Sequence, residues 1–426
     1  MFAKFQIVQN NKNIVRNFFH IGIIKFVNIL SKYLLIGYLI RILGEENYGV
    51  ITWVDSFIQY FLILINFGFD LYVSKYVVEN KDDKNKIDEI ISTVYTIKFL
   101  LFLLSFVLLI PFIFASGTQD YFYLFVVMML MGGGEVFFPI WYFQGIEKMK
   151  PITIVTVVAR LFLVVGTFTL VKSDTHGFRY VVLLVLSNLI WGGLGFYFLK
   201  KESRFIFLKI PFKTILFYLK EGYLFFLGKF STIFLNFGTI FLIGFFCSKS
   251  LVSGFDLASK IIFTFVFVYE VIQQAVFPSI VRNKRIAFMR KLVLATFIMG
   301  LLFAGLTYTF SEEIMLVFGG SEMVKYSYLL RQLVLLIPVI GITNIVGSCT
   351  LVAFGSIKQY NYSLIISCVV YVSSMLLLYL YNQMYFENLV FVRIGVDVLM
   401  ASLMLFFSIK KRILLPGNYR ANTSME

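Results

Sequence analysis

The chain has 426 residues, of which 59% are hydrophobic and only 14% are charged, against about 25% charged in an average soluble domain. This composition excludes an ordinary soluble domain and indicates a polytopic membrane protein. The net charge of +15 would suit a nucleic-acid-binding protein, but the basic residues fall in short tracts between apolar segments rather than on one solvated face. No nucleic-acid partner is therefore expected.

Few side chains are available for metal or nucleophilic chemistry. His20 and His176 are the only histidines, and the three cysteines stand alone in apolar runs as Cys247, Cys349 and Cys368. A histidine-based triad or metal centre needs more than these residues, and isolated cysteines in apolar runs are typical of packing positions. We therefore expect no catalytic residue, no metal and no cofactor.

Apolar segments divided by charged residues, proline or glycine predict an all-α integral membrane protein with twelve transmembrane helices. Each needs about 20 residues to cross the hydrocarbon. The predicted helices are 17–41, 49–74, 88–114, 121–145, 151–171, 178–199, 215–244, 252–280, 291–311, 326–353, 361–382 and 388–409. The longest loop, 200–214, follows the sixth helix and predicts a cytoplasmic linker between two six-helix lobes, 1–199 and 215–426.

The distribution of lysine and arginine predicts the orientation. If the N-terminus is cytoplasmic, the cytoplasmic tracts hold 25 of these residues and the external tracts hold 5. Cytoplasmic loops of membrane proteins carry an excess of positive charge. Both termini are therefore expected in the cytoplasm, and the same bias explains the basic composition.

The two predicted lobes show a weak internal repeat. Gly49, which begins the second helix, corresponds to Gly254 at an offset of 205 residues, and Gly145 corresponds to Gly355 at an offset of 210. Because six helices form an even number, both copies have the same orientation in the membrane. Duplicated lobes of this kind are typical of transporters whose substrate binds between them.

Polar side chains lie on one narrow face of the first two helices of each lobe, within about 60 to 80°. A charge in mid-membrane costs about 2.5–3.5 kcal/mol, so these faces must meet protein or water. In the first lobe they carry Lys25, Asn28, Lys32, Asp55, Gln59, Asn66 and Asp70. In the second lobe they carry Lys229, Thr232, Asn236, Asp256, Lys260, Glu270 and Gln274. The faces predict one hydrated central cavity.

The cavity lysines suit a phosphate group. An ammonium and a phosphate oxygen 4 Å apart attract by about 4 kcal/mol at an effective dielectric of 20. The acids Asp55, Asp70, Asp256 and Glu270 are gates that pair with lysines in the absence of substrate, or they are proton or sodium sites. The sequence leaves both roles open.

Other intramembrane charges have structural explanations. Arg393 and Asp397 are spaced i, i+4 and are expected to form a local ion pair. Arg331 is expected to anchor the outer membrane edge, and Glu135, which follows MGGG, to pair with a neighbouring helix.

Two motifs resemble those of the Wzx O-antigen flippases, a family of the MOP (MATE-like) superfamily. RILGEENYGVITWVDSFIQYFLILINFGFD, residues 41–70, is similar to their turn between the first two helices. PIWYFQGIEKMKPITIVTVVAR, residues 139–160, is similar to their turn after the fourth helix and the arginine that follows it.

The resemblance implies a V-shaped pair of six-helix lobes. They would move undecaprenyl-pyrophosphate-linked oligosaccharide across the bacterial inner membrane, among membrane lipids and beside other polysaccharide assembly proteins. Cationic residues would hold the pyrophosphate and head group. The residues that match this role by position are Lys25, Lys32, Arg160, Lys229 and Lys260.

Two other classes of function remain as alternatives. One is another exporter of the same superfamily, either a drug/cation antiporter or a peptidoglycan-precursor flippase, although the two lysines of the first helix favour an anion. The other is a membrane polymerase or glycosyltransferase. An enzyme is not expected, because no external loop is long enough for a catalytic domain. The one pair of aspartates in a cytoplasmic loop, Asp82 and Asp83, stands between lysines and is expected to be a solvated surface turn.

Overall fold

A computed structural model of the chain describes residues 2–283, 286–411 and 413–414. Within them it is helical and contains no strand, which confirms the all-α prediction. The α-helices are α1 (Phe2–Asn66), α2 (Phe69–Glu79), α3 (Lys84–Ala115), α4 (Phe122–Met129), α5 (Met131–Phe137), α6 (Ile140–Gly145), α7 (Lys150–Leu170), α8 (Gly177–Ser203), α9 (Phe212–Phe246), α10 (Lys249–Asn283), α11 (Ile286–Thr309), α12 (Ser311–Gly319), α13 (Ser327–Leu333), α14 (Leu336–Asn344), α15 (Ile357–Leu380) and α16 (Phe386–Lys410). The C-terminal tail, expected in the cytoplasm, lies outside the described residues beyond position 414.

Ten helices of the described chain are long and apolar enough to cross a membrane, or eleven if a bent pair, Ser321–Leu333 with Leu336–Val352, counts as one span. The first of them, His20–Asn66, has 47 residues, more than twice what one crossing needs. Gly44, with φ of 78°, interrupts it between the first and second predicted helices. The protein is therefore a multi-pass membrane protein. Twelve crossings in two lobes stay a prediction.

The chain divides into two compact units, Met1–Ile233 and Phe234–Glu426. The division falls within α9, whereas the sequence places the linker between lobes at 200–214. Each unit contains a pair of long packed helices, α7 with α8 in the first and α15 with α16 in the second.

The second predicted helix differs from its expected form. It was expected to run unbroken over 49–74, but α1 ends at Asn66 and α2 begins at Phe69. Phe67 and Gly68 between them adopt left-handed conformations, with φ of 49° and 73°. The hydrogen-bonding pattern of a helix cannot continue through such residues, so Asp70 lies on a separate helix from Asp55, Gln59 and Asn66.

The fourth and tenth predicted helices are both broken. In the first unit, α4 gives way to α5 at Leu130, and Pro139 separates α5 from α6. In the second unit, α13 and α14 are separated at Val334 and Leu335, and a π-helix, Ile345–Val352, follows. A π-helix and short helical pieces leave backbone groups that other side chains must satisfy.

Close contact with α8 holds α5 in place. A Cβ atom added at Gly134 would lie 2.2 Å from the carbonyl oxygen of Asn188, and one at Gly192 would lie 2.3 Å from the carbonyl oxygen of Gly134. Small residues of this kind let helix backbones approach in a membrane, where the hydrophobic effect does not drive helix association. The close packing at Gly134 thus fixes α5 against α8, and with it the position of Glu135 relative to α3.

Candidate functional site

An ion pair between α2 and α9 lies at the centre of the candidate site in the first unit. Lys229 on α9 donates a hydrogen bond to Asp70 Oδ2. The side chains of Lys229 and Asp70 are 27% and 21% exposed, so the pair is only partly shielded from solvent. Asp70 Oδ1 is buried and accepts no hydrogen bond within the described residues. The pair is thus incompletely satisfied.

The break between α1 and α2 positions Asp70 against α9. A Cβ atom added at Gly68 would lie 3.1 Å from Phe225 Cβ and 3.2 Å from the backbone nitrogen of Phe226. The ring of Phe67 stacks on that of Phe226, with centroids 4.8 Å apart and planes 5° apart. Only glycine allows this approach of the two backbones without strain, because position 68 combines a left-handed φ with a close neighbour.

Further along α2, the Tyr72 hydroxyl donates a hydrogen bond to the carbonyl oxygen of Tyr218 over 2.8 Å. Burial and the carboxylates of Glu221 and Glu79 raise the pKa of Tyr76 above its ordinary value. The helices α2 and α9 therefore run side by side from Gly68 to Tyr76. This packing fixes the distance at which Asp70 meets Lys229.

A second ion pair in the same unit has a fully buried lysine and a carboxylate whose side chain is 16% exposed. Lys98 on α3 has no exposed surface, and its Nζ donates to the carbonyl oxygens of Glu135 over 2.8 Å and of Phe138 over 3.4 Å. The same Nζ lies 3.7 Å from Glu135 Oε1, which also accepts a 2.7 Å hydrogen bond from Asn66 Nδ2. Lys98 satisfies backbone carbonyls at the end of α5, where the helix is broken before Pro139. Its role is structural.

The two pairs form one charge cluster. Lys98 interacts electrostatically with both Asp70 and Lys229 as well as with Glu135. We call Asp70, Lys98, Glu135 and Lys229 the four-charge cluster. It holds two positive and two negative charges, so any anion that binds Lys229 must compete with Asp70.

A separate polar group joins α1 to α7. Arg160 Nε donates a 2.8 Å hydrogen bond to Asn28 Oδ1, and Gln59 Nε2 donates a 3.0 Å hydrogen bond to Asp55 Oδ1. Arg160 also interacts electrostatically with Asp55 and Tyr180. The contact with Asn28 orients the planar guanidinium of Arg160, which suits bidentate recognition of phosphate.

The two lysines of the first predicted helix lie on α1 near this group. Lys25 is half-buried and Lys32 is exposed, and both take part in further interactions with the protein. The helix that carries them packs along α7, which carries Arg160. The structure thus brings Asn28, Arg160, Asp55 and Gln59 together, and places Asn66 with the four-charge cluster.

In the second unit, Lys260 pairs within its own helix. Its Nζ lies 2.6 Å from Asp256 Oδ2 one turn away, and the two side chains are 23% and 4% exposed. Glu270 and Gln274 are half-buried further along α10. Lys260 and Lys229 belong to different units, and their convergence on one chamber stays a prediction.

Arg393 on α16 is held by three groups, and the pair with Asp397 confirms the i, i+4 prediction. Arg393 Nε lies 3.0 Å from Asp397 Oδ2, Nη1 donates to the carbonyl oxygen of Leu235, and Nη2 lies 3.4 Å from Asn236 Oδ1. Arg393 and Asp397 are 7% and 3% exposed. An adjoining cavity has about 10 Å³ of space for water centres, enough for one water molecule.

Two further intramembrane charges have partners in the structure, and the expected anchoring of the outer membrane edge by Arg331 stays a prediction. Glu135 pairs with Lys98 of a neighbouring helix, as predicted. Arg331 donates to Glu312 and Ser311 over 2.7 Å each and lies over the ring of Tyr308. Sequence reasoning did not find the partner of Lys98, because 37 residues separate it from Glu135. Within the described residues, no three His, Cys, Asp or Glu side chains come together as a metal site requires.

The helical arrangement is similar to solved transporters of the MOP superfamily. An inward-facing multidrug resistance MATE transporter superposes with a TM-score of 0.70 at 13% identity, covering 92% of this chain and 94% of that one. The lipid II flippase MurJ in an inward closed conformation gives a TM-score of 0.70 at 14% identity, covering 94% and 89%. Fold and composition define an integral membrane protein with the MATE-like fold.

The family follows from the sequence. The model of the family described as "Polysaccharide biosynthesis protein" matches residues 14–284, more than half of the chain, and the chain belongs to that family. It is also similar to two proteins named "Putative O-antigen transporter". The one from Shigella dysenteriae is 24% identical and covers 87% of this chain and 93% of its own length. The one from Escherichia coli strain K12 is 23% identical and covers 95% of this chain and 99% of its own length.

Proposed function

We propose that this chain is a flippase that carries an undecaprenyl-pyrophosphate-linked oligosaccharide, such as an O-antigen repeat unit, across the bacterial inner membrane. Membership of the polysaccharide biosynthesis family and the transporter names of both relatives support this function. MurJ, whose fold is similar, is named a lipid II flippase. These three observations favour a transporter over an enzyme.

The observation that carries the proposal is the partly exposed Lys229, paired with Asp70, beside the fully buried Lys98, paired with Glu135. Lys98 donates hydrogen bonds to backbone carbonyl oxygens, and breaking these bonds would leave buried polar groups without a partner. Among the described residues, Lys229 Nζ donates a hydrogen bond to one carboxylate oxygen, Asp70 Oδ2. A pyrophosphate, which offers several oxygens and more negative charge, can therefore displace Asp70 from Lys229.

Arg160, with Lys25 and Lys32, provides a second binding region in the first unit. Arg160 contacts Asn28 through Nε, and this contact orients the guanidinium plane. The two terminal nitrogens of Arg160 lie at the other end of that plane. In the second unit, Lys260 and Asp256 repeat the combination of a partly exposed lysine with a carboxylate. We assign these cations to the pyrophosphate and head group, and the polar side chains near them to the lining of a wet cavity.

Alternating access supplies the transport step. In this mechanism a site opens first to one side of the membrane and then to the other. Substrate drives the change only to the extent that it binds one state more tightly. Neutralisation of Lys229 by phosphate, with release of Asp70, is such a difference. Protons or sodium ions would couple at Asp55, Asp70, Asp256 or Glu270, and both termini would lie in the cytoplasm.

The experiment is complementation of a flippase-null strain with its cognate polysaccharide pathway. Lys229→Ala together with Lys25→Ala should abolish surface polysaccharide and leave lipid-linked precursor on the inner face, while the protein remains in the membrane at its normal amount. Lys81→Ala, at an exposed lysine between α2 and α3, is the matched control and should display polysaccharide normally. Normal display in the double variant would refute the head-group role.

A further inference from the structure

The connection between α8 and α9, residues 204–211, is a non-helical segment that lies on the end of the first unit. Arg204 ends α8 in a left-handed conformation, and α9 begins at Phe212 after Pro211. The backbone nitrogen of Leu208 donates a 3.0 Å hydrogen bond to the buried Ser92 Oγ on α3. The segment is thus fastened to the helices beneath it.

An aromatic cluster fixes the inner side of this connection. The buried ring of Phe205 lies 6.3 Å from that of Tyr95 and 6.0 Å from that of Phe196, measured between centroids. The outer side is apolar and exposed: Ile206 is 64% exposed, and Phe212, where α9 starts, is 76% exposed. Phe207 and Leu208 are exposed as well, so the outward apolar surface runs without interruption from Ile206 to Leu208.

Basic side chains surround these exposed apolar residues. Residues 200–220 contain six lysines or arginines and one acid, Glu202, which Lys148 occupies in an ion pair. Within the described chain, no carboxylate forms an ion pair with the exposed cations of the segment. These cations are Lys200, Lys201, Arg204, Lys209 and Lys213.

We propose that the α8–α9 connection is an interfacial anchor that binds anionic phospholipid headgroups. Exposed phenylalanine and isoleucine enter the boundary between headgroups and acyl chains, and the surrounding cations meet the headgroup phosphates. Glu202 pairs with Lys148, and Leu208 is hydrogen-bonded to Ser92 on α3. These contacts place the segment at the same end of the unit as the basic residues around Lys148 and those at the start of α3. The anchor is independent of what the protein transports.

The test uses the full chain in nanodiscs. Ile206→Cys, in a background with Cys247, Cys349 and Cys368 replaced by alanine, is labelled with an environment-sensitive fluorophore. Raising the phosphatidylglycerol fraction in phosphatidylcholine should shift the emission to the blue, and added salt should reverse part of the shift. Unchanged emission across lipid compositions would overturn the proposal.

Two variants separate the role of charge from that of general exposure. Lys209→Gln should reduce the preference for phosphatidylglycerol about fivefold, and adding Lys213→Gln should reduce it further. Lys172→Gln with Arg179→Gln removes two exposed cations beyond the opposite end of α7 and should leave the preference unchanged. Equal effects of the two pairs would exclude a specific anchor.

Two further measurements complete the test. Inorganic pyrophosphate added to pure phosphatidylcholine discs should cause no shift, and a shift equal to that of phosphatidylglycerol would assign the segment to soluble anions instead. Native mass spectrometry of the unlabelled natural chain should show retained phosphatidylglycerol, with less retained in the Lys209→Gln, Lys213→Gln variant. This readout covers the case in which the labelled variant does not fold.

Discussion

Lys229 on α9 donates a hydrogen bond to Asp70 on the first turn of α2, across 159 residues of sequence. The charge of Asp70 also suits its position, because the N-terminal end of a helix favours a negative side chain. The pair therefore couples the break between α1 and α2 to α9. The pair differs from that of Lys98 and Glu135 in its lysine, because Lys229 is 27% exposed and Lys98 is fully buried.

The Asp70–Lys229 contact should be visible in a double-mutant cycle. Lys229→Ala should lower the free energy of unfolding by about 1–3 kcal/mol, between the values typical of exposed and of buried pairs. Exchanging the residues, as Asp70→Lys with Lys229→Asp, should recover more stability than the two single changes together predict. Thermal unfolding of the detergent-solubilised protein measures this, and strictly additive effects would show that the two charges do not interact.

Loss of Lys98 should be more damaging. Lys98→Met leaves two backbone carbonyls without their donor and removes the cation beside the Glu135 carboxylate, which keeps its hydrogen bond from Asn66. The change should cost about 3–5 kcal/mol. Adding Glu135→Gln should restore part of the stability, because the uncompensated charge is gone. Monodisperse protein recovered after extraction is the measurement, with exposed Lys150→Met as the control. Equal yields for the two lysine variants would contradict a structural role.

The sequence predicted local relationships well. The spacing of Arg393 and Asp397 identified an ion pair that the structure contains, because both residues lie on one helix and the period of the helix is known. For the acids Asp70 and Asp256 the sequence left open a gating role and an ion-binding role. The structure pairs them with Lys229 and Lys260, and which role they have stays a prediction.

Tertiary relationships were beyond the sequence. Asp70 was placed on one helical stripe with Asp55, but its direction depends on the left-handed Phe67 and Gly68, which the close approach of α9 stabilises. Periodicity assumes an unbroken helix and cannot report such a break. The partner of Lys98 depends on the fold of α5 against α3, and no spacing in the sequence encodes it.

The glycine at the break offers a third prediction with a matched control. Gly68→Ala combines left-handed backbone strain with a Cβ atom 3.1 Å from Phe225, whereas Gly44→Ala has a similar φ of 78° and no atom within 4 Å of the added Cβ. Strain alone costs about 1–2 kcal/mol, so Gly68→Ala should be the more destabilising change. It should also weaken complementation, since it moves Asp70 relative to Lys229. Equal melting temperatures for the two variants would show that α9 yields readily at Phe225.

Arg393 allows a fourth prediction, in the second unit. Arg393→Met removes the cation beside Asp397, which is 3% exposed, and should reduce the free energy of unfolding by about 3–5 kcal/mol. Arg393→Lys should rescue little, because an ammonium cannot reach Asp397, Asn236 and the Leu235 carbonyl in the fork geometry of a guanidinium.

Adding Asp397→Leu to Arg393→Met should recover most of the lost stability, since buried ion pairs can often be replaced by apolar residues of similar volume. Melting temperatures of the purified variants provide the comparison. A double variant that is no more stable than Arg393→Met would mean that the guanidinium acts mainly through α9, at Leu235 and Asn236. In that case Asn236→Ala should destabilise the natural chain but have little effect in the Arg393→Met background, because the contact it removes would already be lost.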